Sequence, residues 1–300
     1  MHAALRIGTR GSRLASAQAR LFQSALGQSG AASQLVEVRT QGDAISARNA
    51  RAGFEATDGQ FTAELEEALL RRDVDVAVHS YKDLPTGSSP GVVVAAVLPR
   101  ADARDCLLAR GGWGLGALPH GAKVGTGSVR RARQLLVPRP DLRIQPIRGN
   151  VETRIARMER GEYDGIVLAC AGLDRLGISV PDLARLPFTV MLPAPAQGAL
   201  AVQVRAEDMD LLARLRKRDH PPTRIAVEAE RALLRAIGGG CLAPLGAFGE
   251  VADGRLRLRA IFLPDDGAEP ASIDMSAAVE RVDELVADAA RRLLAGEGGR

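Results

Sequence analysis

Lys82 and Asp83 set an ammonium beside a carboxylate in the stretch Val74-Asp75-Val76-Ala77-Val78-His79-Ser80-Tyr81-Lys82-Asp83-Leu84-Pro85. The run begins apolar, with β-branched residues at alternate places, and reads as a buried strand. It turns polar at His79 and Ser80, and Pro85 stops it. In an α/β sheet the C-terminal ends of strands face the ligand crevice. Lys82 and Asp83 delivered there are candidates for acid–base or electrostatic chemistry. The same residues also suit a solvated strand end with a local Lys–Asp pair.

A second group points to anions. Thr126, Ser128, Arg130 and Arg131 fall where a strand meets a helix start in Val124-Gly125-Thr126-Gly127-Ser128-Val129-Arg130-Arg131. Free backbone N–H groups and the helix dipole favour negative charge at such a junction. Arg148 ends the next strand, Arg154 lies one turn into the helix after it, and Arg175 follows Gly172-Leu173-Asp174. Arg10 and Ser12 occupy the corresponding junction near the N-terminus. Each arginine taken singly suits a surface salt bridge; several at strand ends facing one crevice would be less accidental and point to an anion-binding cleft. The glycine turns are neither a Walker nor a dinucleotide fingerprint.

Cys241 follows Gly238-Gly239-Gly240 at a helix end. Glycines leave its sulfur accessible, although a free cysteine also serves as a small buried apolar residue. Cys106 and Cys170, in apolar strand contexts, suit the second role. Three cysteines, odd in number and far apart, argue against a disulfide framework or a zinc site. His2, His79, His120 and His220 are scattered, so no metal site is expected.

Strand–helix alternation must position these groups. Strands are expected at Leu5–Thr9, Leu35–Arg39, the apolar run from Val74 that breaks at His79, Val92–Leu98, Asp105–Ala109, Leu142–Ile147, Asp164–Ala169, Phe188–Leu192 and Ala199–Arg205. Helices are expected at Arg13–Leu26, Thr62–Arg72, Val151–Arg160 and Glu207–Arg218. Residues 41–60 lack periodicity and read as a long mobile loop. Two hinge candidates, Pro99–Arg104 and Leu192–Gln197, are flanked by βαβ units, which predicts two α/β lobes joined by a pair of crossovers. Beyond Pro221-Pro222, a helix over Thr223–Ile237 capped by Thr223 leads to Ala247–Val251 and Arg255–Ile261. Asp253-Gly254 joins these two as a hairpin. With a last helix at Arg281–Leu294, this region reads as a small α+β domain. The expected limits are 1–98 with 198–218, 103–193, and 221–300.

Bulk composition agrees with a globular protein: 300 residues, 46% hydrophobic and 25% charged, with a formal net charge of +4. The cations are almost all arginine, the better residue for two-pronged grip on carboxylate; Lys82, Lys123 and Lys217 are the only lysines. No secretory signal is visible, and the longest aliphatic run is too short to span a bilayer. A reducing cytoplasm is expected. The near balance of 40 basic and 36 acidic residues, with 3% aromatics, weakens a nucleic-acid role. A solute-binding protein would share two lobes and anion binding but would not need Cys241.

Together these stretches resemble the porphobilinogen deaminase (hydroxymethylbilane synthase) family. The matching residues are Gly8-Thr9-Arg10-Gly11-Ser12, Val78–Pro85, Val124–Arg131, Ile147-Arg148-Gly149-Asn150 with Thr153-Arg154, Gln197-Gly198-Ala199 and Gly239-Gly240-Cys241. The resemblance implies two lobes like those of periplasmic binding proteins, and a third domain carrying the cysteine. It implies stepwise head-to-tail joining of four porphobilinogen molecules, with loss of ammonia, on a dipyrromethane primer held by a thioether to Cys241. It further implies Asp83 and Lys82 as catalytic. Ser80, Thr126, Ser128, Arg130, Arg131, Lys82 and Asp83 would hold the cofactor, and Arg10, Ser12, Arg148, Arg154, Arg175 and Gln197 the substrate. Neither metal, nucleotide, nucleic acid nor membrane is implied, and a monomer is expected. Two departures stand out. Ala56-Thr57-Asp58-Gly59-Gln60-Phe61 carries an acid where the family's loop commonly has lysine, and Gly127 stands in place of a usual serine.

Overall fold

A computed structural model describes residues 4–27, 30–38, 62–87, 89–179, 181, 184–239, 243–264 and 269–297. The expected loop over 41–60, its Asp58, and Cys241 itself lie outside these residues.

The first lobe is built on five strands in the order β2-β1-β3-β9-β4. They are β1 (Leu5–Thr9), β2 (Ser33–Glu37), β3 (Val76–Ser80), β4 (Val92–Val97) and β9 (Leu200–Arg205). β1 runs parallel to β2 and β3, whereas β9 is antiparallel to both β3 and β4. The apolar run in β3 is explained by cover on both faces. Val76 and Val78 pack with Phe22 and Leu26 of α1 (Arg13–Gly27), while Ala77 packs with Leu65 and Leu69 of α2 (Ala63–Leu70).

In the second lobe the order is β5-β8-β6-β7, formed by β5 (Asp105–Ala109), β6 (Lys123–Gly125), β7 (Arg143–Gln145) and β8 (Gly165–Ala169). β5 is antiparallel to β8; the other pairs are parallel. Each parallel strand feeds a helix: α3 (Val129–Leu136) after β6, α4 (Val151–Glu159) after β7 and α5 (Cys170–Arg175) after β8. After β9 comes α6 (Met209–Arg216), whose Leu212 and Leu215 join the first lobe's core.

The small α+β domain lays α7 (Pro221–Ala236) and α8 (Val282–Leu294) against an antiparallel sheet of β10 (Leu245–Ala252), β11 (Arg255–Phe262) and β12 (Ala271–Ala278). The β10–β11 turn holds Asp253 and Gly254 at φ of 49° and 69°, the left-handed pair a tight hairpin needs.

Residues 98–104 and 192–199 cross between the lobes side by side. Ala101 N–H donates to the Gly198 carbonyl at 3.2 Å. Gly198 sits at φ of 91°, and a Cβ there would stand 2.6 Å from the Ala101 carbonyl oxygen, so only glycine fits.

Three expectations are corrected. Phe188–Leu192 is a turn rather than a strand, closed by Val190 N–H donating to Pro187. α7 is capped by His220, whose Nδ1 accepts from Thr223 N–H, with Pro221 and Pro222 in the first turn; Thr223 is not the cap. The strand β12 went unseen, because Ala271-Ser272-Ile273-Asp274-Met275-Ser276 offers few β-formers.

Candidate functional site

β3 ends at Ser80, and Tyr81–Asp83 make one tight helical turn before Leu84 and Pro85. This turn places Asp83 on the surface and Lys82 half-buried. Lys82 Nζ donates to Gln197 Oε1 at 3.2 Å. Burial pushes the Lys82 ammonium down to about 8, helped by the nearby Arg131 charge.

Gln197 passes the connection onward. It is fully buried in the second crossover, and its amide donates to the Ala103 carbonyl at 2.8 Å and to Asp105 Oδ1 at 2.9 Å. Asp105, the first residue of β5, has no exposed surface. Its Oδ1 also accepts from Arg131 Nη2 at 2.7 Å and Nε at 3.1 Å, and its Oδ2 accepts from Arg130 Nη2 at 2.8 Å. Burial alone would raise the Asp105 carboxyl, but the two guanidiniums outweigh it and hold it well below the usual range. One carboxylate thus fixes two arginines and, through Gln197, the Lys82 ammonium.

α3 brings the arginines there. Ser128 caps it by accepting from Arg131 N–H at 3.4 Å, and Thr126 Oγ1 accepts from Ser128 N–H at 3.1 Å. Both hydroxyl oxygens expected to meet an anion are thus also built into the turn. Arg130 Nη1 donates to the Leu192 carbonyl at 2.6 Å and Arg131 Nη1 to Val167 at 3.0 Å. These arginines are not loose surface cations.

Arg148 and Arg154 extend the cationic wall. Arg154 Nε donates to the Gly149 carbonyl at 2.8 Å, and burial with the charges of Arg131 and Arg148 pushes it down to about 10. That crowding of cations marks a surface that an anion would relieve. Arg10 and Ser12 sit at the β1–α1 junction, with Ser12 Oγ accepting from Ala15 N–H at 3.2 Å. Arg175 is placed differently: its Nη2 donates to the Gly198 carbonyl at 2.6 Å, so it braces a crossover, and burial pushes it down to about 10.

Lys82, Ser128 and Arg130 line one cleft together with Ala194, Pro195, Arg231 and Ala243. All three domains contribute, and Ala243 stands two residues past Cys241. Dipyrromethane is a small polyanion, and its carboxylates suit a wall whose ammonium and guanidiniums are destabilised by burial and by each other. The residues present therefore fit that group. Among the described residues, no cluster of His, Cys, Asp and Glu has the makings of a metal site, and no helix is long and apolar enough to cross a membrane.

The family model described as "Porphobilinogen deaminase, dipyromethane cofactor binding domain" matches residues 5–213. That described as "Porphobilinogen deaminase, C-terminal domain" matches residues 224–295. The chain belongs to the porphobilinogen deaminase family. The porphobilinogen deaminase of Desulforudis audaxviator is 47% identical over 291 residues, covering 96% of this chain and 93% of that protein. Its counterpart in Thermus thermophilus is 45% identical over 296 residues, covering 98% and 96%. The Escherichia coli periplasmic aliphatic sulphonate binding protein SsuA is a fainter likeness: 15% identity and a TM-score of 0.39, covering 79% of this chain and 71% of that chain.

Asp105 and Arg231 are the site residues that sequence reasoning missed. Asp105 looks like the polar edge of an apolar strand, and only its pairing with two arginines some 25 positions onward reveals it. Gln197 was found through the family pattern alone; composition and spacing gave no sign of it.

Proposed function

We infer that the chain is a transferase joining four porphobilinogen molecules head to tail, with loss of ammonia at each joining, to make hydroxymethylbilane. The reading is supported by the convergence of Lys82, Ser128 and Arg130 on a cleft beside the residues following Cys241. Dipyrromethane, carried by a thioether to Cys241, supplies the primer to which substrate is joined.

The chain's own residues do the rest. Each porphobilinogen brings an acetate and a propionate, so a growing chain repels itself. Arg130, Arg131, Arg148 and Arg154, with the hydroxyls of Ser80, Thr126 and Ser128, hold the cofactor's and substrate's carboxylates. One close charge pair is worth roughly 4 kcal/mol at an effective dielectric of ~20. Arg10 and Ser12 complete the substrate side; Gln197, fully buried, acts there by holding Lys82, and Arg175 by fixing the crossover at Gly198. Departure of ammonia leaves a cation on the substrate. Asp83, exposed beside the cleft-lining Lys82, steadies that charge and orients the pyrrole N–H. Lys82, its ammonium pushed down to about 8 by burial, gives Asp83 a neighbour that can keep or yield a proton near that pH.

We further propose the domain limits 1–98 with 198–218, 103–193 and 221–300, a monomeric state and a cytoplasmic location. Support for a reducing compartment comes from Cys106 and Cys170, both buried free thiols.

Intact mass tests the reading. Protein made in cells with ample precursor should carry a covalent excess equal to dipyrromethane, give the colour reaction of that group, and consume porphobilinogen. The Cys241→Ser protein should weigh no more than its polypeptide. Wild-type protein of bare mass that leaves porphobilinogen untouched would refute it.

A further inference from the structure

The turn that carries Lys82 and Asp83 is gripped from another domain. On α7, Glu228, Arg231 and Arg235 are spaced three and four apart and so share one helix face. All three meet the segment 81–86. Glu228 accepts from the Tyr81 hydroxyl. Arg231 Nη1 donates to the carbonyls of Tyr81 at 3.2 Å and Leu84 at 2.9 Å, and its Nη2 donates to Pro85 at 2.5 Å. Arg235 Nη1 donates to Thr86 at 3.0 Å. The Arg231 guanidinium also lies over the Tyr81 ring, 4.4 Å from its centroid.

Arg231 is buried, as is Tyr81. Its Nε meets no hydrogen-bond acceptor, since the group is pressed against the ring instead. A buried guanidinium spent wholly on three carbonyls of one short turn is costly unless that turn must be held. The helix that does so ends at Ala236, five residues before Cys241.

We propose that Arg231 is a positioning residue for the reaction: α7 splints the Lys82–Asp83 turn to the C-terminal domain, holding Lys82 against Gln197 and the Asp105 network. This rests on the roles given above to Asp83 and Lys82. Among the described residues, groups facing Lys82 include Arg130 and Arg131 from α3, Asp105 from β5, Gln197 from the crossover and Asp83 from its own turn. Release of the turn draws Lys82 away from Arg130, Arg131, Asp105 and Gln197.

The chain has three lysines, so lysine labelled with carbon-13 at the ε position gives three resonances, and Lys82 can be titrated directly. In Arg231→Met, its midpoint should climb from about 8 towards the ordinary lysine value. Turnover per cofactor-loaded molecule should fall between about 10- and 100-fold, the range a misplaced group costs, with KM within about threefold. Arg231→Lys, which keeps the charge but not the fork, should fall between wild type and Arg231→Met on both measures. Tyr81→Phe removes only the Glu228 link and should move both the same way by a smaller step; it decides the matter if Arg231→Met does not fold. An unmoved Lys82 midpoint, or undiminished turnover per loaded molecule, in a folded variant overturns the splint. Loss of activity in Asp83→Ala tests the underlying roles separately, because it leaves the α7 contacts in place.

Discussion

Asp105→Asn is the substitution on which the site's electrostatics can be measured. The asparagine keeps one oxygen acceptor but turns an NH2 towards guanidiniums that have no lone pair to offer. Two buried arginines then face each other without a counter-charge. Breaking a buried pair from one side costs about 3–5 kcal/mol. For a lobe of roughly 90 residues each kcal/mol moves Tm by roughly 4–8 °C, so the transition of the second lobe should fall by at least about 12 °C. The sign with pH follows from the depressed Asp105 carboxyl. Its stabilising effect is fully present above the unfolded value near ~3.9 and is lost as pH falls towards the folded value. The gap between wild type and Asp105→Asn should therefore be constant at neutral pH and narrow below about pH 4. Asp105 also supports the Lys82 charge, so in the variant Lys82 should titrate below about 8. Calorimetry across pH and the lysine resonance read the two effects independently. A variant melting within a degree or two of wild type, with Lys82 unshifted, would show that this carboxylate does not organise the site.

Asp83→Ala should fold and acquire its covalent mass normally, since the side chain is exposed, yet lose at least about 100-fold in turnover, as removal of a placed charge-stabilising group does; ordinary turnover by product assay would remove Asp83 from the chemistry. Gly198→Ala sets a Cβ against the Ala101 carbonyl at a left-handed backbone position, and should lower Tm by several degrees or leave the protein insoluble; a Tm equal to wild type would mean the crossovers part easily. His79 is buried in β3 and pushed down to about 4 by burial, with the Arg10 charge adding to the effect. The unfolded chain thus binds its proton first, and folding stability should decline by roughly 3 kcal/mol as pH falls from 6.5 to 4. His79→Gln should flatten that part of the urea-denaturation profile; an unchanged slope would place the titration elsewhere.

Much of the frame was legible because its signals are local. The apolar run into β3, the Asp253-Gly254 hairpin and the proline-marked crossovers each follow from a few neighbouring residues. Phe188–Leu192 misled because its residues suit a strand, while Pro187 and Pro193 leave the segment a turn between two elements. Arg130 and Arg131 were read as anion-binding groups at a helix start, not as buried partners of Asp105, because that pairing is tertiary. Glu230 is the sharpest case. On an amphipathic helix it reads as one more solvent-facing acid, yet it is fully buried. Its carboxylate accepts from Arg100 Nη1 at 2.6 Å and Nη2 at 3.1 Å, from Ala196 N–H at 2.6 Å and from Gly249 N–H at 2.6 Å.

That arrangement has a mechanical corollary. Arg100 and Ala196 belong to different crossovers, and Gly249 to β10, so both connections share a single buried anchor on the C-terminal domain. Such a spine resists sliding of one crossover past the other at its base. Space for a lengthening pyrrole chain is then expected at the outer rim, away from this anchor.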